Sequence, residues 1–157
     1  MSRFLSQRFA ALEAYTPGEQ PQDMQYVKLN TNESPFSPSP EVIAAVSAAQ
    51  VAKLNLYPDP TCRVLKEKLA LYGLAPENVF ISNGSDDILN FSFMAFCDES
   101  RPVAFPAISY GFYPVYADLY HLPYTAIPLR ENFRLEPEDY CGLNQNIVIA
   151  NPNAPTG

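Results

Sequence analysis

Ile147-Val148-Ile149-Ala150-Asn151-Pro152-Asn153-Ala154-Pro155-Thr156-Gly157 is a short apolar run that empties into an Asn/Pro/Gly loop. The run reads as a buried strand, and open α/β sheets place their ligands at the carboxyl ends of such strands. The element that should cover the strand just laid down does not follow. The stretch therefore predicts the front part of a larger enzyme, interrupted inside a ligand site.

Upstream, the same short-strand signal alternates with helical patterns. Val79-Phe80-Ile81 is a strand candidate, followed by the Asn83-Gly84-Ser85 turn and a helix from Asp86 to about Phe96. Pro102-Val103-Ala104-Phe105 is the second strand, and Ser109 to about Tyr120 the second helix. Tyr124–Ile127 reads as a third strand, Glu136–Cys141 as a short helical turn, and Ile147–Ala150 as the fourth strand. Strands joined by crossover helices predict an α/β fold with a mostly parallel sheet.

Before Pro76 the pattern changes. Residues 1–39 show no compact unit: a short helix over Phe4–Leu12, a turn at Tyr15-Thr16-Pro17-Gly18, an extended Val27–Asn30, then an irregular Asn32–Pro38 whose prolines forbid regular pairing. This reads as an arm that packs on a second domain or a partner subunit, with residues 40–157 forming an incomplete α/β large domain. Ser39 is the N-cap candidate of the next helix, with Pro40 at its first position and Val42, Ile43, Val46, Ala49 and Leu54 at helical spacing. Tyr57-Pro58-Asp59-Pro60 breaks it. Thr61 then caps a second helix carrying Val64, Leu65, Leu69 and Tyr72, ended by Gly73.

Composition narrows the function classes. A chain of 157 residues with 47% hydrophobic content can bury a core. A formal charge of −7 argues against nucleic acid or an anionic membrane surface as partner, but not against a small phosphorylated ligand. Cys62, Cys97 and Cys141 are widely spaced and form no C-x-x-C pair, and His121 is the only histidine, so no metal set is expected. Reduced thiols, no secretory leader and no run near the ~20 apolar residues of a membrane span predict a cytoplasmic protein. His121 reads as a surface loop residue. The 16 prolines fall at loops and element starts, not in a binding tract.

Three stretches bear chemistry. Ile81-Ser82-Asn83-Gly84-Ser85-Asp86-Asp87 runs from strand through a small-residue turn into a helix with unsatisfied first-turn amides. Those amides, the helix dipole and the Ser85 hydroxyl make a phosphate site, and Gly84 permits close approach. The plainer alternative is a stabilised helix end, with Ser85 as cap and Asp86 and Asp87 placed for the dipole. Ser109-Tyr110-Gly111-Phe112-Tyr113 presents an aromatic just after a strand, where it can stack on a flat heterocycle; ordinary core packing with Val115, Tyr116, Leu119 and Tyr120 is the competing reading. In Asn151–Gly157, Asn and Thr side chains at a strand end can hydrogen-bond a ring hydroxyl while the prolines hold the loop rigid.

Together these stretches resemble the histidinol-phosphate aminotransferase family, within the pyridoxal-phosphate enzymes of aspartate-aminotransferase fold. The matching pieces stand in the family's order: Leu12–Gly18, Leu29-Asn30-Thr31-Asn32-Glu33-Ser34-Pro35, Tyr57–Pro60, Ser82–Asp87, Ser109-Tyr110-Gly111 and Asn151–Gly157. Each is weak alone; six in sequence are specific. The resemblance implies that Gly84, Ser85 and Asp86 bind the phosphate of pyridoxal 5'-phosphate and that Tyr110 stacks on its ring. Tyr57 would reach across a homodimer interface to the neighbouring cofactor, and Tyr15, Asn30, Asn32 and Glu33 would line the substrate pocket. Many relatives carry two adjacent Asn residues before Pro-Thr-Gly, the second contacting the ring hydroxyl. Here that position is Ala154, so the expected contact passes to Asn153 or Asn151.

The implied reaction is transamination between an amino-phosphate such as histidinol phosphate and a 2-oxo acid. It requires a Schiff-base lysine, an acid on the pyridine nitrogen and an arginine for the carboxylate, all beyond the equivalent of Gly157 in the family. The lysines present are Lys28, Lys53, Lys66 and Lys68, in the arm or on helices, so no catalytic residue is expected in this chain and it should be inactive as printed. A threonine-phosphate decarboxylase or an aromatic aminotransferase of the same fold is a variant of this reading. A non-catalytic binding or dimerisation fragment is the alternative of another class, and the apolar edge of a half sheet argues against it.

Overall fold

The computed structural model describes residues 16, 19, 21, 23, 24, 26–31, 33–46 and 51–157. The expected helix over Phe4–Leu12, together with Tyr15, Asn32 and Ala49, lies outside them. The chain divides into two compact units, one of Thr16–Ile81 and one built on Ser82–Gly157.

The second unit holds the sheet. Strands β1 (Val103–Pro106), β2 (Tyr124–Ile127) and β3 (Asn146–Ile147) lie in the order β2-β1-β3, both pairings parallel. Val103 pairs with Tyr124 on one side and Asn146 on the other, Ala104 with Thr125 and Ile147. Every residue of β1 is buried, as expected for the central strand of a parallel sheet covered on both faces. Successive side chains alternate: Val103 and Phe105 join Phe93, Tyr113, Tyr116, Ala117 and Leu122 in one cluster, while Ala104 joins Ile127 and Tyr140 in another. The first cluster is packed by the two long helices, Gly84–Phe96 and Phe112–Tyr120. The helix Phe112–Tyr120 ends where His121 takes a left-handed turn and Leu122 N–H reaches back to the Ala117 carbonyl at 2.8 Å. His121 is exposed there, as the sequence predicts.

The α/β class and the parallel sheet match the sequence reading, and several local expectations shift. Val79–Ile81 is not a strand; the 3-10 turn Pro76–Asn78 precedes it, and Val79 continues from that turn in an extended conformation. The last strand, Asn146–Ile147, begins one residue before the predicted Ile147–Ala150 and ends three residues before it, although Val148 N–H still donates to the Ala104 carbonyl at 2.9 Å. The first long helix begins at Gly84, two residues before Asp86, and the second at Phe112, three residues after Ser109. Pro137–Asp139 forms a 3-10 turn inside the predicted Glu136–Cys141.

In the Thr16–Ile81 unit, helix α1 spans Pro40–Val46, with Ser39 Oγ accepting from Val42 N–H at 3.4 Å. Helix α2 spans Arg63–Leu69, runs on into the 3-10 turn Ala70–Tyr72 and stops at Gly73, whose φ is 82°. Thr61 does not cap α2. Asp59 takes that place: its carboxylate accepts from Arg63 N–H at 2.9 Å and from Thr61 N–H and Oγ1 at 2.9 and 2.7 Å. Both carboxylate oxygens reach donors that a single hydroxyl cannot serve together. The long helices of the second unit follow as α3 (Gly84–Phe96) and α4 (Phe112–Tyr120).

Candidate functional site

The site lies where α3 begins and where β1 and β3 end. Gly84 opens α3 at φ +83°, and no heavy atom stands within 4 Å of the position its Cβ would occupy. No side chain caps this helix. Ser85 is therefore not the cap that the plainer reading predicts, and the first-turn amides are left without a side-chain partner of that kind. Asp86 and Asp87 turn to neighbours instead: Asp86 Oδ1 accepts from the Tyr110 hydroxyl at 2.6 Å, and Asp87 Oδ2 from the Ser82 hydroxyl at 3.3 Å.

Tyr110 lies in the loop after β1, half-buried, where its ring stacks on Phe112 at 5.8 Å and meets Tyr113 edge-on at 5.7 Å. Core packing accounts for Tyr113 and Tyr116, which are buried, while Tyr110 is only half-buried. Burial pushes the Tyr113 hydroxyl above its usual pKa, against the opposing effect of the Ser109 hydroxyl beside it. Tyr116 is pushed up to about 12, first by burial and then by the Asp86 charge; its hydroxyl donates to the Asp86 carbonyl at 3.0 Å. Tyr120 donates to Asn90 Oδ1 at 2.7 Å. A row of tyrosines on α4 thus clamps α3 through hydroxyls, a role that helical spacing alone reports only as core.

Asn153 is 3% exposed. Its Oδ1 accepts from the Ser109 hydroxyl at 2.6 Å, and its Nδ2 donates to the Ile108 carbonyl at 3.0 Å and to Thr156 Oγ1 at 2.7 Å. Four predicted residues, Gly84, Ser85, Asp86 and Tyr110, are therefore gathered at one end of the sheet, with Asn153 joined to them through Ser109. Ser109 is the participant that sequence reasoning passed over; its place directly before Tyr110 was the available signal.

The other predicted residues belong to the Thr16–Ile81 unit. Tyr57 is fully exposed. Asn30 donates to the Glu19 carbonyl at 2.8 Å, and Glu33 pairs with Lys28 at 2.7 Å, which holds the Glu33 carboxyl below its usual pKa. Lys53, Lys66 and Lys68 lie in this unit too, the last two on α2. Tyr15 and Asn32 fall outside the described residues. Among the described residues, no helix is long and apolar enough to cross a membrane.

The family model for aminotransferase class I and II matches residues 24–157. The chain belongs to this family. It is 50% identical over 157 residues to a histidinol-phosphate aminotransferase of Clostridium acetobutylicum, covering 99% of this chain and 45% of that protein. It is also 50% identical to a histidinol-phosphate aminotransferase of Marinomonas sp., covering 100% of this chain and 45% of that protein. Among solved structures, histidinol-phosphate aminotransferase from Sinorhizobium meliloti, in complex with pyridoxal-5'-phosphate, superposes with a TM-score of 0.71 at 25% identity. That likeness covers 80% of this chain and 35% of the other. The chain thus spans about half the length of the curated relatives it matches, and it corresponds to their N-terminal part.

Proposed function

We propose that the protein carrying this chain is a pyridoxal-phosphate-dependent aminotransferase that exchanges an amino group between an amino-phosphate of the histidinol phosphate type and a 2-oxo acid. The observation that carries this reading is the uncapped start of α3, with open space over Gly84, tied to an aromatic ring through the Tyr110–Asp86 hydrogen bond. The residues fit the cofactor. Helix N-termini attract phosphate through free amides and the dipole, and Ser85 adds a hydroxyl at the same turn.

When bound, pyridoxal phosphate supplies an electron sink that stabilises negative charge on the substrate carbon bearing the amine. Gly84, Ser85 and Asp86 hold the phosphate, and Tyr110 orients the ring by stacking. Asp86 fixes the Tyr110 hydroxyl at 2.6 Å, so the ring is set before the ligand arrives. Asn153 braces the adjoining loop at the strand ends. Full exposure of Tyr57 suits a residue that reaches the phosphate of a second copy in a homodimer. Asn30 and Glu33 of the arm, with Tyr15 and Asn32, would face the amino substrate. The lysine that would bind the cofactor covalently and shuttle the proton belongs, in this reading, to the part of the protein outside these 157 residues.

The test is the full-length protein with histidinol phosphate and 2-oxoglutarate. Formation of glutamate at a rate that depends on both substrates supports the proposal. Carbon dioxide release with no need for an oxo acid would make the protein a decarboxylase of the same fold, and no turnover with any amine would refute the enzymatic reading.

A further inference from the structure

A carboxamide that is 97% buried has only a few bonds to make, and Asn153 makes them to protein. The amide orientation is dictated by chemistry: the Ile108 carbonyl can only accept, so Nδ2 must face it, and Oδ1 then faces the Ser109 hydroxyl. The second N–H goes to Thr156 Oγ1. Both donors are thus committed within the fold. A donor bond from Asn153 to a ring hydroxyl would require breaking one of them.

The partners reveal what the side chain joins. Ile108 and Ser109 belong to the loop after β1, immediately before Tyr110; Thr156 belongs to the loop after β3, where Gly157 N–H also donates to the Asn153 carbonyl at 2.5 Å. From Tyr110 the connection continues through its hydroxyl to Asp86 in the first turn of α3.

Resting on the reading of the site as a pyridoxal-phosphate cradle, we propose that Asn153 is a positioning residue. Its carboxamide clips the Ile108–Tyr110 loop to the Asn151–Gly157 loop and so holds Tyr110 against Asp86. Aspartate at this place keeps the shape but loses both donors. Alanine loses the donors and the acceptor.

The test uses the full-length protein with 3-fluorotyrosine at position 110, read by fluorine NMR without cofactor, beside a pyridoxal phosphate titration and thermal melts. Asp86→Ala supplies the reference signal for a Tyr110 freed from its acceptor. The proposal expects Asn153→Ala and Asn153→Asp to move the fluorine signal toward that reference. It also expects them to weaken cofactor binding roughly tenfold, the scale of one lost buried hydrogen bond. The milder Ser109→Ala, which spares the fold, should shift the signal the same way, and the Ser109→Ala/Asn153→Ala pair should be no worse than Asn153→Ala alone. An unmoved fluorine signal in the Asn153 variants would overturn the clip, and so would a Ser109→Ala that leaves signal and affinity unchanged while Asn153→Ala loses affinity; the second pattern marks a direct contact between Asn153 and the ring. Lower melting temperatures with unchanged signal and affinity would also overturn it. If the unsubstituted protein takes up no pyridoxal phosphate, the cofactor reading fails, and the fluorine signal still decides the clip.

Discussion

Gly84→Ala puts a methyl group at the start of α3, where φ is +83°. Nothing stands within 4 Å of the new Cβ, so the substitution meets no clash and its cost is confined to the backbone. A left-handed angle costs an alanine about 1–2 kcal/mol. The chain relieves that strain by rotating away from positive φ, which reorients the amides of the first helical turn. A hydrogen bond to a charged group contributes about 1.5–3 kcal/mol, so loss of one lowers phosphate affinity about ten- to a hundredfold. Gly142 is the matched control. Its φ is +75°, nothing stands within 4 Å of its Cβ position, and it lies between the Pro137–Asp139 turn and β3, in a different loop. Gly142→Ala carries the same backbone cost without touching α3. Urea denaturation and pyridoxal phosphate titration of the full-length variants separate the two effects. Both variants should lose about 1–2 kcal/mol of stability, and only Gly84→Ala should lose cofactor affinity. Equal cofactor affinities in the two variants would refute the assignment of the phosphate to this turn.

Three further outcomes follow from the packing and the charges. Phe93→Ala removes the ring that packs between Tyr113 and Tyr116 at 1% exposure and should cost about 3–5 kcal/mol in denaturant melts, whereas Met94→Ala on the exposed side of α3 should stay within about 0.5 kcal/mol. The Arg101 guanidinium, and after it the Ser100 hydroxyl, hold the Asp98 carboxyl well below its usual range. That contribution is complete above the unfolded carboxyl value of about 3.9 and disappears as pH falls below it, so Asp98→Asn should flatten the acid limb of stability measured by urea midpoints. Tyr116, raised to about 12, stabilises the fold fully below the unfolded value of about 10 and progressively less as pH rises toward 12. Tyr116→Phe should cost about 1 kcal/mol at neutral pH and remove that alkaline loss in melts run from about pH 9 upward.

What could be read from the sequence followed from short-range chemistry. The alternation of Val103–Phe105, Tyr124–Ile127 and Ile147–Val148 with helical stretches reports a parallel sheet because a buried central strand has no polar face to interrupt it. The Gly84-Ser85-Asp86 turn could be placed at a helix start because a glycine accommodates the positive φ found there. Val79–Ile81 misled because an apolar triplet signals burial but not a hydrogen-bonding neighbour, and pairing is a tertiary event. Asp59 outdid Thr61 at the start of α2 because a carboxylate serves several donors at once, which propensity does not weigh. Asn153 could be placed near the site from its loop, yet residue types gave no sign that its amide turns inward on Ser109, a partner 44 positions away. Contacts at that separation leave no local pattern.

The most direct test of the central claim is a crystal structure of the full-length protein soaked in pyridoxal phosphate. The account predicts the phosphate at the Gly84-Ser85-Asp86 turn, the ring against Tyr110, and the Asn153–Ser109 bond intact. A phosphate bound away from the start of α3, or a ring that does not meet Tyr110, would contradict it.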